Sequence, residues 1–328
     1  MQLPKRNLLA TLLSSSLMPS PAEPAAAQAT QPGARYDPQA WERDPRWGRD
    51  HWRVRRDPIE WPKKERVAAV MAVTFGFPDF SFKVPEGGGT TGKVARIHVQ
   101  VYGPKFGVWR LLEVLERQGV KASFEINGMS AAQFPDVVKE ISRSGHEIAG
   151  HNWADNVNHD EQSVDQDRQL IARTIDAIEK ATGKRPKGWV APDLRFGEKS
   201  LEHLAAAGIE WHAGILSDDL PYVINVGAKK MLALPHATKQ LDDAGFVIGN
   251  RRPPNEYLDF LKRELNCFHR EGGKMPKMFN FSVHPEYAGR PFFIDTVEQM
   301  LVHLKQTPDV WLTTRQGIAD WWTRQNYS

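Results

Sequence analysis

Residues 145–155 read G-H-E-I-A-G-H-N-W-A-D, and this segment decides how the rest of the chain is interpreted. Two histidines, His146 and His151, enclose a short apolar run of strand character, and Asp155 follows His151 by four residues. A histidine and an acid after a buried strand are typical of metal ligands or proton carriers at the mouth of a barrel or sheet. In the opposing interpretation His146 is a capping or core residue and His151 a surface residue. Because an amphipathic helix precedes the segment and a polar loop follows it, we favour a functional loop.

The sequence on both sides of this segment alternates between strand and helix patterns. Residues 67–75 form a near-continuous apolar run, which predicts a buried strand. Residues 106–118 carry apolar side chains on one helical face and end at Gly119. About seven such strand–helix units predict a parallel sheet with helices outside it, either as a barrel or doubly wound. Residues 76–103 are predicted to be a long loop that serves a site.

Composition limits the classes of function. The chain has 328 residues, with 41% hydrophobic and 25% charged residues, which is ordinary for a globular enzyme with a sizeable core. A net charge of +3 gives no reason to expect nucleic acid or a membrane as partner. The only cysteine, Cys267, lies in a helical pattern and is expected to be a structural thiol. Composition leaves the oligomeric state open.

Three regions are expected along the chain. Residues 1–34 resemble a signal peptide and a disordered linker, because a basic start is followed by an apolar run and a small-residue cleavage pattern. Residues 35–62 lack any clean period and predict an irregular arm, and residues 63–328 form the barrel. We therefore expect export to the periplasm or the exterior. A disordered tail on a cytoplasmic protein is the alternative.

Polar residues follow the predicted strands at the end where parallel α/β folds place their chemistry. They are Asp79, Glu125, Asn127, His151, Asp155, Asp193, Arg195, Asp218, Asp219 and His284. Histidines, carboxylates and an arginine fit metal-assisted or general acid–base hydrolysis. The sequence contains no nucleophile elbow, phosphate loop or dinucleotide fingerprint.

Glu125 lies in the predicted strand 121–126, where Ala122, Phe124 and Ile126 share one face. Glu125 therefore points to the other face, into the barrel. A buried carboxylate needs a partner, because burying an ion alone is very costly. A structural salt bridge to an arginine or lysine is as good an explanation for this glutamate as a catalytic role.

Four segments give the chain a resemblance to the polysaccharide deacetylases, carbohydrate esterase family 4. They are A-V-T-F at 72–75, G-H-E-I-A-G-H at 145–151, P-K-G-W-V-A-P at 186–192 and S-V-H-P-E-Y-A-G-R-P at 282–291. Y-G-P-K-F-G-V-W-R-L-L at 102–112 and D-D-L-P-Y at 218–222 are similar to the allantoinase-like branch of the superfamily. The resemblance covers residues 61–322 and implies an α/β fold, a distorted (β/α)₇ barrel.

The chain departs from the family pattern at the residues that matter most. Family deacetylases follow their first strand with T-F-D-D, which supplies a general base and a metal ligand. Here Gly76 and Phe77 stand in those places, and the nearest acid is Asp79. The family's second motif is His-x-x-x-His, with both histidines on the metal. Here the first is His151 and the second position is Asp155.

Two versions of the site follow from the resemblance. Asp79, His151 and Asp155 could hold a divalent, zinc-like metal with an oxygen-rich ligand set. In the metal-free version, as in the allantoinase-like branch, protons are handled by Asp79, Glu125, His151 and His284, while Arg195 or Asn127 polarises a carbonyl. Further substrate contacts are predicted at Trp153, Asp219 and Tyr222.

The resemblance implies a hydrolase of carbon–nitrogen bonds other than peptide bonds. Its partner would be a carbohydrate or another small molecule: an N-acetylated sugar polymer or a small cyclic amide or imide. Water would attack the carbonyl and His284 would protonate the leaving nitrogen. The alternative is a catalytically degenerate barrel that binds carbohydrate through exposed tryptophans. Trp153, beside the site, either stacks on a sugar or packs in the core.

Overall fold

The computed structural model describes residues 59–79 and 93–325. The predicted leader and linker, residues 1–34, and nearly all of the predicted arm, residues 35–62, lie outside this part. The strands are β1 (Val67–Phe75), β2 (Ser123–Ile126), β3 (Glu147–Gly150), β4 (Gly188–Trp189), β5 (Trp211–Ile215), β6 (Tyr222–Val226), β7 (Lys229–Pro235), β8 (Lys277–Val283) and β9 (Val310–Thr313).

Ten α-helices are interleaved with these strands in the described part of the chain. They are α1 (Lys93–Tyr102), α2 (Val108–Gln118), α3 (Gly128–Gln133), α4 (Pro135–Arg143), α5 (Val164–Thr182), α6 (Ser200–Ala206), α7 (Pro254–Glu271), α8 (Pro285–Ala288), α9 (Ile294–Gln306) and α10 (Arg315–Gln325). A π-helical turn, Gly103–Gly107, joins α1 to α2. None of the helices in the described residues has the length and apolar character needed to cross a bilayer.

Nine strands form one sheet in the order β6-β7-β5-β4-β3-β2-β1-β8, and β9 pairs with the first half of β1. All pairs are parallel except β6–β7. The segments that flank this hairpin reach across to β8. Met278 N donates to Asp219 O at 3.0 Å, and Asp242 forms a parallel bridge with Ser282. These links join the two edges of the sheet and close it into a distorted barrel, as predicted.

β1 is buried along its whole length and separates two apolar layers. Alternate residues beginning at Val67 pack against the outer helices. The residues between them, Ala68 and Val70, belong to an interior cluster with Trp61, Trp211 and Trp322. The lower part of the barrel is therefore a packed core, which leaves the carboxyl ends of the strands as the place for chemistry. We call the carboxyl ends of β1, β2, β3 and β8 the mouth.

Two elements differ from the sequence prediction. Helix α1 occupies part of the predicted loop 76–103. Its three valines and one isoleucine have low helix propensity, so its helical pattern is weak. Strand β6 was not predicted, and it forms a tight hairpin with β7 at Gly227, whose φ is 59°. A left-handed backbone at such a turn costs a glycine little.

Candidate active site

Glu125 points into the barrel, as the alternation of its strand predicts. The register of β1 and β2 pairs it with Thr74, whose Oγ1 donates a hydrogen bond to Glu125 Oε2 at 2.9 Å. The guanidinium of Arg315, the first residue of α10, pairs with Glu125 Oε1, and His236 Nε2 lies 3.6 Å from the same oxygen. Burial alone would raise the pKa of Glu125, but Arg315 and then His236 hold it well below its ordinary value. Glu125 is therefore part of a structural ion pair with Arg315, the explanation that the sequence left open beside a catalytic role.

His151 lies at the carboxyl end of β3, with its Nδ1 2.9 Å from Val190 O. A carbonyl oxygen only accepts, so Nδ1 carries the proton and the lone pair of Nε2 is available. Burial lowers the pKa of His151, although Glu125 and Asp155 oppose the shift. The side chain is thus a neutral imidazole at pH 7, fixed in one tautomer by the neighbouring strand.

Asp155 lies directly over Gly76, at the end of β1. An ideal Cβ built on Gly76 would overlap the Asp155 carboxylate, whose three carboxylate atoms are its nearest neighbours. Asn127 Nδ2 donates to Asp155 Oδ1 at 2.8 Å and fixes the carboxylate there. Burial raises the pKa of Asp155, while His151 and His284 lower it. The acid from the loop after β3 therefore belongs to the mouth.

Asn127 was predicted to contact substrate, and the structure gives its side chain another role. Asn127 is fully buried, and its Oδ1 accepts from Ser130 N at 2.8 Å, which caps α3. Its Nδ2 donates to Phe77 O at 2.9 Å as well as to Asp155. Since both donor hydrogens and an acceptor are already used, Asn127 positions Asp155 instead of polarising a carbonyl.

His284 follows β8 and faces the mouth with a buried carboxylate behind it. Its Nδ1 lies 2.6 Å from Asp243 Oδ1, and its backbone N donates to Asp243 Oδ2 at 2.9 Å. Asp242 Oδ2 is 3.9 Å from the same ring nitrogen. Burial would lower the pKa of His284, but Asp242 and Asp243 outweigh it and hold the pKa well above the ordinary value. His284 is therefore an imidazolium at neutral pH.

These side chains also act on one another. The charge of His284 contributes to the lowered pKa of His151 and stabilises the Asp155 carboxylate, and Asp155 in turn supports the charged form of His151. The mouth thus carries a neutral imidazole, a carboxylate and an imidazolium that influence one another's charge. Such a set can accept one proton and donate another in a single turnover.

The predicted metal ligands do not fit a three-ligand centre. Zinc sites of hydrolases use three protein ligands and an open position. Within residues 59–79 and 93–325, a single set of three histidine or acidic side chains has its ligand atoms within 4.8 Å, and it is the charge cluster of Asp242, Asp243 and His284. The predicted set of Asp79, His151 and Asp155 is not brought together in this way. Gly76 contributes no donor.

Asp79 and Trp153 bind each other. Trp153 Nε1 donates to Asp79 Oδ2 at 2.9 Å, and Asn156 holds the Asp79 backbone through both its amide N and its carbonyl O. Trp153 is only 3% exposed, and the guanidinium of Arg173 lies 3.4 Å from its ring centre. The indole is buried and in contact with Arg173, so the prediction that Trp153 stacks on a substrate sugar is wrong and the core-packing alternative holds.

Arg195 is also placed elsewhere than predicted. Its guanidinium binds two surface acids, Asp160 Oδ2 at 2.9 Å and Glu161 Oε1 at 2.7 Å, and its side chain is 40% exposed. A cation held by two surface carboxylates is not aimed at a reacting carbonyl. The proposed polarising role of Arg195 is therefore corrected to a surface ion pair.

Replacing Arg195 with alanine is expected to have little effect. Surface ion pairs contribute about 0–1 kcal/mol, so the free energy of unfolding should change by no more than that. Turnover should equal that of the unmodified chain. Urea unfolding and a rate assay check both statements, and a tenfold loss of turnover would return Arg195 to the site.

The two remaining predicted substrate contacts lie away from the mouth. Asp219 accepts from Lys277 Nζ at 2.7 Å, and Lys277 is the first residue of β8, at the opposite end of that strand from His284. Tyr222 is 8% exposed and packs in an outer apolar cluster with Ile215 and Ile224. Both predictions fail because the loop after β5 turns back into the antiparallel strand β6.

Some residues of the mouth gave little signal in the sequence. Asp243 follows β7 in a pair of acids and could have been noticed by its position; Arg315 could not, because its partner is 190 residues away. Glu286 is buried beside His284, and burial raises its pKa to about 8.

His146 is structural, since its Nδ1 accepts from Ala122 N at 3.1 Å and burial lowers its pKa to about 4.

Comparisons with known proteins agree with the fold and the motifs. A family model described as polysaccharide deacetylase matches residues 102–212. A peptidoglycan deacetylase of Helicobacter pylori is 23% identical over 256 residues, which are 69% of this chain and 87% of that protein. A solved allantoinase superposes with a TM-score of 0.74 at 23% identity, covering 83% of this chain and 96% of its own.

A structure described as a pseudoenzyme of carbohydrate esterase family 4, from Bacillus anthracis, is also similar. Its TM-score is 0.50 at 16% identity, and the match covers 81% of this chain and 70% of that one. The likeness to solved structures confirms the predicted fold, an α/β distorted barrel with a mostly parallel sheet. The family model and the sequence relatives show in addition that the chain is similar to the polysaccharide deacetylases.

Proposed function

We propose that the chain hydrolyses a carbon–nitrogen amide bond other than a peptide bond, without a metal, and that its substrate is a small cyclic amide or imide. One observation carries the proposal: His151, Asp155 and His284 are each held in place at the mouth, as a neutral imidazole, a carboxylate and an imidazolium, and their charges shift one another's pKa. This arrangement supplies a base and an acid of opposite protonation state at the same pH.

The attacking step uses Asp155 and His151. A water molecule donates a hydrogen bond to His151 Nε2, and this bond orients the water. Asp155 takes the proton as the water oxygen bonds to the carbonyl carbon. Because burial raises the pKa of Asp155, its carboxylate is a stronger base than an exposed aspartate. Asn127 keeps that carboxylate in place.

The leaving step uses His284. Its Nε2 proton passes to the amide nitrogen as the carbon–nitrogen bond breaks, and the products are an amine or ureido group and a carboxylic acid, which releases its proton to solvent. Asp243 holds the imidazolium in its orientation through Nδ1. The proton on Asp155 then returns to His284 through solvent, which restores the resting charge state.

A second candidate is deacetylation of an N-acetylated sugar. It is supported by the Helicobacter pylori relative, whose name is peptidoglycan deacetylase. The same base and acid would serve this reaction. The third reading, a degenerate carbohydrate-binding barrel, loses its proposed stacking residue, because Trp153 is buried.

Substrate assays separate these candidates. Ring opening of allantoin-like imides and acetate release from N-acetylated oligosaccharides should be followed side by side, with His284→Gln as the matched inactive variant. The proposal expects ring opening that the variant has lost. Acetate release alone would establish the second candidate, and sugar binding without any turnover would establish the third.

We also propose that the protein is exported, on the basis of residues 1–34. Expression in a bacterial host, followed by fractionation and N-terminal sequencing, tests this. A mature protein in the periplasmic or secreted fraction that begins near residue 28 is expected from the small-residue pattern at 25–27. An intact amino terminus in the cytoplasmic fraction would contradict export.

A further inference from the structure

The space over Gly76 is filled by a side chain from another strand's loop. The three heavy atoms nearest to an ideal Cβ on Gly76 all belong to the Asp155 carboxylate, at distances that no real Cβ shows. Residues 76 and 155 are far apart in sequence. A side chain at position 76 and the Asp155 carboxylate therefore cannot occupy their places together.

The backbone of Gly76 gives no other reason for a glycine. Gly76 is absent from the glycines with positive φ in the described part of the chain, so an alanine could adopt its conformation. The three atoms nearest to an added Cβ are all atoms of the Asp155 carboxylate. The requirement for glycine at this position comes from space.

The carboxylate is held over Gly76 by contacts from two other directions. Asn127 Nδ2 donates to Asp155 Oδ1 at 2.8 Å, and the same nitrogen donates to Phe77 O at 2.9 Å. Asp155 N lies 3.5 Å from Phe77 O. Asn127 is in turn fixed as the cap of α3. The carboxylate thus has one defined position, and Gly76 forms its floor.

We propose that Gly76 is a positioning residue: it provides the seat in which a carboxylate from the loop after β3 is presented to the reacting water. This inference rests on the proposed role of Asp155 as the base. Gly76 touches no substrate and acts only through Asp155. A corollary is that the seat requires a carboxylate but does not require that the β3 loop supply it.

The first test is Gly76→Ala. The added methyl group displaces the carboxylate, so kcat should fall by about 10²-fold, close to the loss caused by Asp155→Ala, while KM changes little. Gly273→Ala is the matched control, because its Cβ would lie 3.7 Å from the nearest atom, Arg270 O, in ordinary contact. A Gly76→Ala variant with the kcat of the unmodified chain would overturn the proposal.

The second test is a double-mutant cycle on stability, which needs no substrate. Gly76→Ala should lower the melting temperature in the unmodified chain and lower it much less in the Asp155→Ala background, where the seat is empty. Equal effects in both backgrounds would overturn the proposal. If no hydrolysis were found for any substrate, the proposed function would fail, and this cycle would still decide whether the seat exists.

The third test exchanges the two side chains. Gly76→Asp combined with Asp155→Ala brings a carboxylate into the same space from β1 instead of from the β3 loop. We expect at least about tenfold more turnover than Asp155→Ala alone, within the range that a positioned base contributes. An exchange variant that folds and is no more active than Asp155→Ala would contradict the corollary.

Discussion

Replacement of His284 by glutamine should lower kcat by about 10²- to 10⁴-fold, the contribution of a positioned general acid. Glutamine keeps much of the size of the side chain but cannot protonate the leaving nitrogen. Affinity for substrate should change far less than kcat. The measurement is a steady-state rate assay on the best substrate found, and a variant with more than a tenth of the original kcat would remove His284 from the proposed mechanism.

The same residue sets the expected response to pH. Asp242 and Asp243 hold the pKa of His284 well above its ordinary value, so the acid stays protonated at neutral pH and is lost as the pH rises through the raised pKa. Asp243→Asn removes one of these charges and the hydrogen-bonding carboxylate. The alkaline limb of the kcat profile should therefore move to lower pH. An unchanged alkaline limb would mean that another group supplies the proton.

Breaking the ion pair inside the barrel should have the largest effect on stability. Arg315→Met leaves the Glu125 carboxylate buried without its main partner, which costs about 3–5 kcal/mol of unfolding free energy. Urea unfolding at pH 7 measures the loss. Thr74 and His236 remain near the carboxylate, so we expect a loss in the lower half of this range.

A second substitution provides the control. Arg315→Met combined with Glu125→Gln removes the unpaired charge, and most of the lost stability should return. The pair also predicts a pH response, because the folded-state pKa of Glu125 lies well below its ordinary value. Its contribution is present above the unfolded pKa and disappears as the pH falls through the folded pKa. A double variant as unstable as Arg315→Met would show that the charge is not the cause.

The sequence was informative wherever one element carried the signal. The apolar run of β1 and the alternation around Glu125 predicted a buried strand and an inward carboxylate, and both are observed. His151 and His284 were found because each ends a recognisable strand. These inferences need only local periodicity and the rule that parallel sheets present their chemistry at one end.

The partners of those residues depend on distant chain segments. Arg315 is 190 positions from Glu125 in the sequence. Asp155, in the loop after β3, fills the space over Gly76, which follows β1. The stacking role predicted for Trp153 and the polarising role that the resemblance implies for Arg195 fail, because Trp153 binds Asp79 and Arg195 pairs with two surface acids. Residue type predicts the chemistry of which a side chain is capable, but the contacts it makes in the fold determine its role.

The proposed mechanism requires that Asp155 and His151 activate the water without a metal. The direct measurement is the rate of ring opening of a cyclic imide after exhaustive treatment with chelator, with Asp155→Asn assayed beside it. The chelated protein should keep its full rate, and Asp155→Asn should lose about 10²-fold or more. Loss of activity with chelator that zinc restores, or an Asp155→Asn variant at full rate, would contradict it.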